Sequence, residues 1–225
     1  MKKRIWVCSC VFAFIIICII SFCTLGESKK FNMMSQIQYN YFFLKEERYV
    51  AEFSCGLREE VFDYDGVSTS KVHYGIIKVK LLNSNNYASR IKIYLSINKK
   101  SQDFILEKNP FEDNFVTDTY LFIKETDIVE IFVENVNTEY KQMNCISKHW
   151  ISDCHKVLNI SFKENKQFIK ENSKNGKSCE CYLSVIYNKY QDTTNYYWLF
   201  QIYTSSLKSK YIVLDVNDLE IVCKQ

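Results

Sequence analysis

Hydrophobic and polar residues alternate with a period of two along most of the chain, the spacing of half-buried β-strands. Ile77, Val79 and Leu81 alternate with Lys78 and Lys80, and Ile91, Ile93, Leu95 and Ile97 alternate with Lys92, Tyr94 and Ser96. Asn83-Ser84-Asn85-Asn86 lies between these runs and is turn chemistry, so 72–82 and 90–97 read as a hairpin. Further strands are expected at 39–44, 49–55, 103–107, 119–124, 127–135, 157–163, 180–187, 196–204, 210–216 and 219–223, with a turn at Asn175-Gly176. Helical periodicity is weak, and one short helix is expected near 165–172. Short strands in this number predict an all-β fold, a two-sheet antiparallel β-sandwich, with a barrel as the alternative. No linker or internal repeat divides the chain, so 27–225 reads as one domain.

The first 26 residues follow a different pattern. Lys2-Lys3-Arg4 precedes an apolar run from Ile5 to Phe22, and no acid appears before Glu27. This is the layout of a secretory signal peptide, with cleavage expected after Gly26 or after Cys23. A retained signal anchor is the alternative, since the run is nearly long enough to span a bilayer. In either case residues 27–225 are expected outside the cytosol. The chain ends Val222-Cys223-Lys224-Gln225, which is no ER-retrieval signal, so the expected destination is extracellular.

Without that segment the composition changes meaning. The net charge of +3 for the whole chain becomes zero, because the three lost charges are all basic. A neutral domain gives no electrostatic basis for nucleic-acid binding. Of ten cysteines six remain: Cys55, Cys145, Cys154, Cys179, Cys181 and Cys223. An even number in a secreted domain predicts up to three disulfides, of undetermined connectivity. Five glycines and one proline leave no Gly-rich phosphate loop.

Candidate chemistry is sparse. Cys145, His149, Cys154 and His155 have the look of a metal-ligand cluster, but thiols in an oxidising compartment form bridges first, so no metal or other cofactor is expected. No G-x-S-x-G or H-E-x-x-H motif is present. The adjacent acids Glu46/Glu47 and Glu59/Glu60 would face opposite sides of a strand. The chain therefore reads as a non-catalytic binding protein. Asn159-Ile160-Ser161 is an N-glycosylation sequon.

Charge is segregated along the chain. From Asp103 to Glu139 there are ten acids and two bases, while 140–189 carries nine bases and four acids. Within the acidic stretch Val129, Ile131 and Val133 are expected to face the core. Asp127, Glu130, Phe132 and Glu134 are then left as candidate partner-binding residues, an aromatic anchor among steering charges. The chain also resembles the poxvirus secreted immune-evasion β-sandwich family, which includes viral chemokine-binding proteins and related virulence glycoproteins. The resemblance rests on the signal segment, the Tyr49–Cys55 strand and His73-Tyr74-Gly75 leading into Ile76–Leu82. It rests also on the acidic Asp127–Glu134 strand and a Cys near the end, and it covers 39–140 plus the tail. It implies a sandwich that sequesters a host cytokine, chemokine or receptor ligand. The family's chemokine binders are strongly acidic, whereas this domain is neutral overall and acidic only in its one Asp103–Glu139 stretch. Two other readings stay open: a lipocalin-like small-molecule carrier lined by Tyr196, Trp198 and Phe200, and a membrane-anchored surface or adhesion module.

Overall fold

Strand-forming alternation is realised along nearly the whole described chain. The computed structural model describes residues 33–60, 69–82, 88–150, 153–172, 179–187, 195–204 and 208–225. The expected signal segment and the turns at 83–86 and 175–176 lie outside the described residues. Thirteen strands are present among those described: β1 (Met34–Lys45), β2 (Tyr49–Glu59), β3 (Lys71–Leu81), β4 (Arg90–Ile97), β5 (Lys100–Lys108), β6 (Phe115–Thr119), β7 (Val129–Val133), β8 (Lys141–Gln142), β9 (Asn144–Cys145), β10 (Glu180–Tyr187), β11 (Tyr196–Tyr203), β12 (Ser209–Asp215) and β13 (Ile221–Lys224). Two helices, α1 (Cys154–Glu164) and α2 (Lys166–Asn172), follow a single 3-10 turn at Ser147–His149. No helix among the described residues is long and apolar enough to cross a membrane.

The all-β expectation holds. Hydrogen bonding joins the strands into one continuous path, β13-β12-β11-β10-β1-β2-β3-β6-β5-β4-β7-β8, with β9 beside β1, where two separately bonded sheets were expected. Every pairing is antiparallel except β1 with β10. Two cores form, and β1 serves both because neighbouring strand residues point to opposite faces. Met34, Ile37 and Tyr41 join Leu183, Trp198, Phe200 and Leu214 beneath α1 in the first core. Phe42 and Leu44 join Phe53, Ile77 and Val79 in the second, against Ile93, Leu95, Leu106, Val129, Ile131 and Val133. The second core thus joins residues of β1–β3 to residues of β4, β5 and β7, and β6 links these two groups of strands in the hydrogen-bonded path. Each fully buried large side chain contributes about 1.5–3 kcal/mol.

Three local expectations are corrected. Strands form at 71–81 and 90–97, but they do not pair: β3 lies between β2 and β6, and β4 between β5 and β7. The hairpin forms instead across Asn98-Lys99, where both residues have positive φ (50° and 70°) as a two-residue type I′ turn requires. The strand expected at 119–124 ends at Thr119; Ile123 is buried without joining a ladder. Residues 157–163, expected as a strand, belong to α1. Asp153 caps that helix by accepting from the Lys156 amide (2.9 Å), and Cys154, Val157, Leu158, Ser161 and Phe162 bury one helical face. Replacing Asp153 with Ala is expected to cost about 1 kcal/mol of stability, read as a lowered urea midpoint.

Candidate protein-binding face

Strand β7 behaves as its alternation requires. Val129, Ile131 and Val133 are fully buried, and Glu130, Phe132 and Glu134 point outward. Register with β4 sets Phe132 opposite Tyr94 and Glu130 opposite Ser96; register of β4 with β5 sets Tyr94 opposite Asp103 and Lys92 opposite Ile105. The outward face of β5-β4-β7 therefore carries a run of apolar and aromatic side chains among carboxylates. Tyr94 and Tyr140 contact Phe132 at centroid distances of 5.9 and 5.6 Å, and the Tyr140 hydroxyl is bonded to that of Ser101 (2.8 Å). Ile105 is 57% exposed on the same face.

Its charges are not evenly matched. Lys92 pairs with Asp103 (3.2 Å) and Arg90 with Glu107 (2.9 Å). Glu130 and Glu134 receive hydroxyls instead, from Ser96 (3.2 Å) and Tyr94 (3.5 Å), and no described base forms an ion pair with either. Hydroxyl donors orient a carboxylate without neutralising it, so two negative charges remain around Phe132. Asp127 has a different role. Its two oxygens accept from Asn98 Nδ2 (2.9 Å) and the Lys124 amide (2.8 Å), which ties the 124–128 turn to the β4–β5 hairpin. Of the four residues read from sequence, three share the face and Asp127 holds its edge. Tyr94, Ile105 and Tyr140 were missed as contributors, because that role depends on strand register.

The chain matches no protein family, no curated protein and no solved structure. The face must therefore be interpreted from its own chemistry.

The other predicted sites are scattered. The expected disulfides are not formed: none of the six cysteines is bridged in the structure. Cys55 and Cys145 sit on β2 and β9, which flank opposite edges of β1. Two strand spacings, about 9.6 Å, exceed the roughly 4.4–6.8 Å a disulfide allows between Cα atoms. Cys179 and Cys181 are buried in the first core, Cys154 opens α1, and Cys223 is exposed on β13. Burial pushes the Cys55 and Cys154 thiols up to about 11 and the Cys181 thiol well above its ordinary value. Alkylation with iodoacetamide at pH 8 should therefore mark Cys223 first and leave Cys55, Cys154 and Cys181 unmarked until unfolding, as peptide mass spectrometry would show. Labelling of the buried three at the rate of Cys223 would contradict this arrangement.

Cys145, His149, Cys154 and His155 do not converge; no group of three or more His, Cys, Asp or Glu among the described residues is placed to hold a metal ion. Asn159 is exposed, on α1 where a strand was expected. Tyr196, Trp198 and Phe200 are buried in the first core, with Phe162 of α1 packed on Phe200 (5.3 Å).

Proposed function

We propose that the protein is a secreted, non-catalytic binding protein that sequesters a basic host protein, a cytokine, chemokine or receptor ligand, as a viral immune modulator would. The observation that carries this reading is the pair Glu130 and Glu134, un-neutralised on either side of an outward-facing Phe132 within an aromatic row. An aromatic centre supplies the anchor, and the surrounding charge speeds encounter and rejects acidic proteins. The joining of β1–β3 to β4, β5 and β7 in the second core supports a sandwich-like architecture, which makes the face rigid.

The test is direct. The secreted product is mixed with a panel of host cytokines and chemokines at about 50 and 300 mM salt. At these concentrations the screening length falls from roughly 14 to 6 Å. Expected is binding to one or a few basic members that weakens at the higher salt. Absence of any binder across the panel would overturn the sequestration reading, and binding indifferent to salt would remove the acidic face from it.

A further inference from the structure

A second feature lies away from the β7 face, where the loop after β6 meets the start of α1. A cleft of about 260 Å³ opens there, with Tyr39 of β1, Trp150 and Trp198 of β11 among its walls, and Glu125, Lys148 and Asp153 also lining it. Its aromatic side is fixed. Trp150 meets Trp198 edge to face at 5.0 Å and Tyr196 at 6.3 Å, and Tyr39 is held at 6.1 Å by Phe122. Burial pushes the Tyr39 hydroxyl up to about 12, so its ring stays a neutral phenol. Asp153 uses one carboxylate oxygen on the Lys156 amide, and no described base forms an ion pair with Glu125 or Asp153.

These walls favour one kind of guest. Aromatic faces attract cations through their quadrupole, by about 0.5–1 kcal/mol when exposed and 2 or more when desolvated. Two carboxylates against one ammonium leave the lining net negative. An anion would find one base, Lys148, and the first turn of α1, whose dipole Asp153 already offsets. The Asn40 amide and the Ser147 hydroxyl in the lining already donate to the Ile123 carbonyl and to Asn40 Oδ1. We propose that this cleft binds an organic ammonium group, supplied either by a free alkylammonium compound or by the lysine side chain of a polypeptide.

Tryptophan fluorescence reads the site, because two of the chain's three tryptophans, Trp150 and Trp198, line it. The full secreted protein is titrated with choline, with Nα-acetyl-lysinamide, with the neutral choline isostere 3,3-dimethylbutan-1-ol, and with inorganic phosphate. A saturable change with choline assigns a free ammonium ligand, and one with the lysine amide assigns a side chain; either supports the proposal. Glu125→Gln should then weaken binding about 3- to 10-fold and Lys148→Gln should tighten it by a similar factor, as expected for single charges near a half-open site. Both substituted residues are exposed, so these variants should fold as the parent does. Trp150→Leu should abolish the response. No saturable change with either cation, an equal change with the neutral isostere, or a response to phosphate alone would overturn the proposal. So would tighter binding by Glu125→Gln or weaker binding by Lys148→Gln.

Discussion

Replacing Gly56 with Ala should be the more damaging of the two glycine-to-alanine changes among the described residues, lowering stability by at least about 3 kcal/mol. Gly56 lies on β2 opposite Gln38, next to the register irregularity between Gln38 and Asn40 of β1. A Cβ there would collide with the carbonyl oxygen of Ile37, and would also stand 2.9 Å from that carbonyl carbon and 3.0 Å from the Gln38 Cα. All three obstacles are backbone, so no rotamer change relieves them. The strand that must shift is β1, which carries Ile37 into one core and Phe42 into the other. Gly75→Ala supplies the comparison. Its nearest neighbours are the Phe53 ring edge (2.8 Å), the Thr119 methyl and the Leu121 carbonyl (both 2.9 Å). Two of those can yield, and a cost of about 1–3 kcal/mol is expected. Urea unfolding followed by circular dichroism measures both. A smaller loss for Gly56→Ala than for Gly75→Ala would mean that β1 and β2 do not approach as described.

The strands were legible in the sequence wherever one face meets a core and the other meets water. Val129 to Val133 and Arg90 to Ile97 are of this kind, and both are strands as expected. β1 is partly hidden from this rule because Tyr41 and Phe42 are buried on opposite faces, which removes the alternation. The α1 error was avoidable. Residues 157–163 were expected as a strand, yet Cys154, Val157, Leu158, Ser161 and Phe162 follow the i, i+3, i+4, i+7, i+8 spacing behind an Asp cap. The mistaken hairpin has another origin. Adjacent strands were expected to pair across an Asn-rich turn, while the tighter Asn98-Lys99 turn joins β4 to β5.

The cysteines show how little an even count says about geometry. Their number predicted bridges, but pairing needs two Cβ atoms within about 4 Å. The topology instead separates Cys55 from Cys145 by β1 and puts Cys223 on the far edge of the sheet. For the binding face, sequence alternation found Glu130, Phe132 and Glu134. It could not find Tyr94, 38 positions away from Phe132, because nothing local states which strands become neighbours.

On this face Phe132→Ala should weaken partner binding by about 30-fold, roughly 2 kcal/mol, the loss typical of a central aromatic anchor. Phe132 touches Tyr94 and Tyr140 on the outer surface and belongs to neither buried core, so the thermal midpoint should change little. Glu130→Gln with Glu134→Gln should act differently. Each keeps the shape and the hydroxyl contact from Ser96 or Tyr94 but removes a charge that no described base neutralises. The association rate should fall several-fold at low salt and the salt dependence should flatten, while dissociation changes less. Asp127→Asn separates structure from recognition: Asp127 holds the turn through Asn98 and Lys124, so its loss should register mainly in stability. Surface plasmon resonance at two salt concentrations, with a melting curve for each variant, distinguishes these effects. If the double glutamine variant slows dissociation or leaves the salt slope intact, Glu130 and Glu134 are solvated charges, and the partner docks elsewhere. If Phe132→Ala binds as the parent does, the aromatic row serves only to pack the outer surface of β4 and β7.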